Sequence, residues 1–148
     1  MMDLLFSVIF MMVASFIIQY TIMSIIMTNS FENIFSSLGK IYMSTIMALL
    51  MGLVEVIMND YSMKIVSTNY YIVLGGFLLF FVYIYKNQIL IDDKEYLSEM
   101  IEHHSMALLT SNKILEKTNN SEVKKLAENI VNSQTNEIEI MKNLLKKM

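Results

Sequence analysis

The chain has 148 residues, 55% of them hydrophobic, with no proline, no cysteine and four glycines, a composition that favours long unbroken helices over sheets with tight turns and sets the fold class as all-α. Without cysteine there is neither a disulfide framework nor a thiolate metal site, so any soft-metal chemistry falls to methionine and histidine. A net charge of −3, with no basic stripe interleaved with aromatics, argues against nucleic acid as a partner.

Apolar residues are concentrated before Lys86 and most of the charge follows it, which divides the chain into a membrane domain, 1–90, and a C-terminal helical hairpin domain, 91–148. From Leu4 to Thr28 there is no charge, and these 25 residues cover about 37 Å as a helix, more than the roughly 30 Å hydrocarbon core. That run is too long, and its start too poor in basic residues, for a cleaved leader. Ile41–Met58 is a second crossing with one acid, Glu55, near its far end. Tyr70–Tyr85 is a shorter third, with tyrosines at both ends as an interfacial belt would place them. Three transmembrane helices make an integral, multi-pass protein whose partner is the lipid bilayer and whose termini lie on opposite sides. The lysines, Lys40, Lys86 and Lys94 against Lys64, place the C-terminal domain on the cytoplasmic side.

Two helical faces in the spans are unusual. Met11, Ser15, Gln19, Met23 and Met27 follow one another at i+4 steps in the first, as do Met43, Met47, Met51 and Glu55 in the second. Two readings stay open: a path of soft thioether donors for a monovalent metal such as Cu(I), or flexible apolar filler with Gln19 and Glu55 as helix-to-helix contacts. An ionisable group such as Glu55 is expected to face protein or water.

Asp92–Thr118 reads as one helix with acids in its first turn, Asn119-Asn120 as a turn, and Ser121 as the N-cap of a second helix that runs to the C-terminus. A 100° projection puts Tyr96, Leu97, Met100, His103, His104, Ala107, Leu108, Ser111, Ile114 and Leu115 on one face of the first, so both histidines are expected to look inward. On the second, Gln134 and Glu137 interrupt an apolar face that includes Ile138 and Met141. Polar groups there require partners. In an antiparallel hairpin His103 and His104 come level with Gln134, Glu137 and Met141. A hairpin of under 60 residues buries too little to stand alone, which predicts a homo-oligomer formed through it. No Glu-x-x-His step, no serine, histidine and acid set and no phosphate-cradling loop is present, so the chain is expected not to be an enzyme.

The segment DDKEYLSEMIEHHSMALLTSNKI followed by VKKLAENIVNSQTNEIEIMKNLL resembles the domain-of-unknown-function 305 family, through the paired histidines and the downstream Q-x-x-E-I-x-x-M. The second span, with its YMSTIMALLMG, is similar to the methionine-rich region of the family's membrane-anchored members. The resemblance covers roughly Asp92 to Leu145 and implies a ferritin-like helical fold, completed by self-association into a four-helix bundle. It also implies metal handling, with a copper ion held by residues among Met100, His103, His104, Met106, Gln134, Glu137 and Met141. Glu102 departs from the family's Met-Ile-Pro-His-His signature, standing where it has proline. The expected function is that of a membrane-anchored, copper-handling protein. The alternative is a structural or interaction membrane protein whose histidine, glutamate and glutamine form a buried hydrogen-bond network without metal.

Overall fold

The computed structural model describes residues 3–148, and all regular structure among them is helical. In chain order it comprises α1 (Leu4–Ile17), a π-helical turn (Ile18–Ile22), α2 (Met23–Met27), a 3-10 turn (Phe31–Asn33), α3 (Leu38–Met63), α4 (Thr68–Lys86), α5 (Asp93–Leu115) and α6 (Ser121–Leu145). Three helical stretches, Leu4–Met27, Leu38–Met63 and Thr68–Lys86, are long and apolar enough to cross a membrane. The chain divides into two compact units. One comprises Leu38–Leu90 with the residues up to Ile22, the other Ile91–Met148 with Met23–Ser37.

In the first unit α3 lies between α1 and α4. Ser44, Ala48 and Gly52, at i+4 steps, are all buried, and small residues on one face let neighbouring helices approach closely. A Cβ at Gly52 would stand 2.9 Å from Met12 Cγ, 3.0 Å from its Sδ and 3.6 Å from Leu74 Cδ1, so α1 and α4 both meet α3 at this level. Around it Val8, Leu49, Val56 and Leu74 form the core. The register of α1 on α3 is antiparallel: Ser7 Oγ donates to Glu55 Oε1, Met12 lies over Gly52, and Lys40 Nζ stands 4.9 Å from the Tyr20 ring centroid. Outward-facing residues such as Phe10, Val13 and Ile17 on α1 and Ile72 and Leu79 on α4 are exposed and apolar.

α3 outruns its apolar stretch by a polar turn because Asp60 holds that turn together. Its carboxylate accepts from Ser67 N at 2.7 Å, Ser67 Oγ at 2.7 Å and Tyr71 Oη at 3.0 Å. Lys64, at φ 55°, takes the left-handed conformation that ends the helix.

In the second unit α5 and α6 pack along one another. Asp92 caps α5, its Oδ1 accepting from Glu95 N at 2.9 Å. The cap of α6 is Asn120 and not Ser121: its Oδ1 accepts from Glu122 N at 2.9 Å and Val123 N at 3.2 Å, and Ser121 becomes the first helical residue. Leu97, Ile101, Leu108, Ile138 and Met141 form the core, with Phe35, Met100, Val131 and Leu145 packed against it.

A third component comes from Met23–Ser37. Asn29 N and Asn33 Nδ2 donate to Ser105 Oγ at 2.9 and 3.1 Å, and Phe35 N donates to Glu102 Oε2 at 3.4 Å. The buried residues of α5 are therefore Leu97, Ser98, Ile101, Ser105, Leu108 and Ser111, a face rotated from the apolar projection by roughly the 100° of one residue. One flank of α5 packs on α6 and the other on this segment of the same chain.

Candidate functional site

The rotation of α5 separates the two histidines. His103 lies two residues, roughly 200°, from the wholly buried Ile101 and is exposed, whereas His104 is largely buried on the flank toward α6. The expectation that both look inward holds for His104 alone. The projection weighed apolar residues only, and Ser105 is buried because Asn29 and Asn33 pack on that side.

His104 Nδ1 stands 3.1 Å from Glu137 Oε2, with side-chain exposures of 15% and 47%. The carboxylate oxygen lies off the line of an Nδ1–H bond, so this buried nitrogen has a close anionic neighbour and no aligned acceptor. A small rotation of the half-exposed Glu137 would align the two. One turn before His104 on α5 is Met100, and one turn after Glu137 on α6 is Met141. Because the helices run antiparallel, the two thioethers come level with each other as the imidazole does with the carboxylate. Met141 is buried in the core and Met100 packs against it. Gln134 and Met106 are half-buried, with no polar contact that ties them to this pair. Among the described residues no three histidine or carboxylate side chains converge. His104 and Glu137 thus meet beside the core, with the Met100 and Met141 thioethers one turn away within it.

The domain of unknown function (DUF305) family model matches residues 92–148, which is α5, α6 and the turn between them. An uncharacterized protein of Acanthamoeba polyphaga mimivirus is 35% identical over 138 residues, covering 93% of this chain and 90% of that protein. The chain belongs to the DUF305 family. The similarity to the mimivirus protein extends well beyond the DUF305 segment into the three apolar helices. No solved structure matches the chain.

Every candidate ligand lies inside the DUF305 segment, but the groups that orient α5 do not. Asn29, Asn33 and Phe35, which fix its rotation and so decide which histidine is buried, precede that segment by more than 50 residues. Sequence reasoning missed them, as it missed Ser7 and Asp60. Ser7 alone carried a legible signal, since it continues the Met11, Ser15, Gln19 series by one i−4 step.

Proposed function

We propose that this DUF305 protein is a membrane-anchored copper-binding protein and not an enzyme, with His104 as its principal ligand and Met100 and Met141 as thioether donors. The observation that carries the reading is the Nδ1 to Glu137 contact at 3.1 Å. A small rotation of Glu137 would let it accept from Nδ1, which would orient the imidazole and leave Nε2 as the ligand atom, the usual arrangement around metal-bound histidine. Imidazole and thioether together suit copper in preference to hard cations. Gln134 and Met106 flank the site, and the exposed His103 lies outside it. The three apolar helices serve as the membrane anchor, with the hairpin on the cytoplasmic side. The burial of Met141 favours a second reading, in which His104 and Glu137 only fix helix register.

Equilibrium dialysis of the full-length protein with Cu(II), and with Cu(I) under reductant, separates the two. His104→Ala should lose the bound copper, Glu137→Gln should weaken it about 10–100-fold, and His103→Ala should bind as the parent does. Equal uptake by the parent and His104→Ala would remove the metal site and leave the register role.

The ferritin-like bundle is completed by a second copy on the apolar groove between α5 and α6 lined by Ile114, Val123, Leu126 and Ile130. Leu126 is 60% exposed, so Leu126→Glu should abolish cross-linking between copies without unfolding the monomer. Unchanged cross-linking would place the contact elsewhere.

A further inference from the structure

Three contacts fix α1 against α3: Ser7 with Glu55, Met12 over Gly52 and Lys40 against Tyr20. In these pairs the residue numbers add to nearly the same value, as an antiparallel register requires. Extending that register from the Ser7–Glu55 pair brings Met11 level with Met51, Ser15 with Met47 and Gln19 with Met43. The two i+4 series, separate in the sequence, become the two sides of one seam, with rungs about 6 Å apart.

Burial grades along the seam. Ser7, Met11, Ser15, Gln19, Met51 and Glu55 are half-buried, while Met47 and Met43 are 36% and 37% exposed and stand at its edge. At the level of Met11, Met51 and Glu55 both helices present half-buried residues, and the Met12 side chain lies over Gly52.

The charge at that level asks for a partner. Among the described residues Glu55 accepts one hydrogen bond, from the neutral Ser7 hydroxyl, and no lysine or histidine pairs with it. A carboxylate in an apolar helix seam is costly unless it is neutralised. Met51 lies one turn from Glu55 on α3, the register brings Met11 level with Met51, and Met12 lies over Gly52; thioethers beside one carboxylate suit a monovalent soft cation and not a hard divalent ion.

We infer that the seam between α1 and α3 binds a soft monovalent cation of the Cu(I) class through Met11, Met12 and Met51, with Glu55 as its counter-charge. This site is separate from the one at His104 and does not rest on it. The rungs beyond it, Ser15 with Met47 and Gln19 with Met43, continue the same line of donors toward the other end of the helices.

The test uses full-length protein in phosphatidylcholine nanodiscs, with Ag(I) as a redox-inert probe and Cu(I) under reductant, in a His104→Ala background that silences the hairpin. That variant should retain a bound equivalent. Adding Met11→Leu and Met51→Leu should remove it, and adding Glu55→Gln, which keeps an acceptor for Ser7, should weaken it about tenfold or more. Methionine-to-leucine exchange nearly conserves volume and should leave the melting temperature close to that of the background. Equal binding with and without Met11 and Met51, or no bound equivalent in the His104→Ala protein, would overturn the inference. If the hairpin site fails instead, the parent and His104→Ala proteins bind alike and the loss on changing Met11 and Met51 persists.

Discussion

Ile101→Asp should abolish the cooperative thermal transition of the unit formed by α5, α6 and Met23–Ser37. Ile101 has 0% exposure and packs with Leu97, Leu108, Ile138 and Met141. Removing its apolar bulk costs about 2–5 kcal/mol, and an unpaired carboxylate at the same point adds several more. The total rivals the whole stability of a small domain, about 5–15 kcal/mol. Ile101→Val, at about 0.5–1.5 kcal/mol, should keep the transition at a lower temperature. Circular dichroism of the full chain in detergent, followed on heating, reads both. A normal melt for Ile101→Asp would mean that the core lies elsewhere.

Gly52→Leu should separate α1 from α3. A Cβ alone would meet Met12 at 2.9 and 3.0 Å, and the space on the α4 side is closed by Leu74 at 3.6 Å. Overpacking of this kind costs about 1–3 kcal/mol, and a leucine adds further carbons beyond that Cβ. Gly52→Ala should be intermediate, since Met12 can shift by rotating its side chain. The chain has no native cysteine, so a Ser7→Cys/Glu55→Cys pair bridged by a short bis-thiol reagent reports the contact directly. Bridging should be efficient with Gly52, reduced with alanine and lost with leucine. Efficient bridging in the leucine variant would show that the seam tolerates separation at Gly52.

Much of the architecture was legible because long apolar helices announce themselves locally. A run without charge, as in Leu4–Thr28, needs no knowledge of what it packs against. The ends were less legible. Asn59 and Asp60 look like the close of a span, yet the hydrogen bonds from Ser67 and Tyr71 keep that turn helical. The α6 cap fell one residue early because Asn and Ser are equally good caps, and only the conformation of Asn120 chooses.

The contact of His104 with Glu137 was half legible. That His104 comes level with Glu137 followed from spacing in an antiparallel pair of helices. Which histidine faces α6 did not. That depends on Ser105 accepting from Asn29 and Asn33, contacts across more than 70 residues of chain that no local periodicity encodes.

The DUF305 segment, residues 92–148, is bounded by sequence similarity, and its packing reaches beyond that bound. A fragment cut at residue 92 would lack Phe35 from its core and both donors to Ser105. Translation sets the same requirement in time. Residues 23–37 emerge early, then α3 and α4 are made, and only then does α5 arrive to receive them. At about 5–20 residues per second, Asn29 and Asn33 wait several seconds for Ser105. The unit of α5 and α6 thus closes around a strip of chain synthesised more than 70 residues before Ser105, and this packing can form only once both intervening helices have left the ribosome.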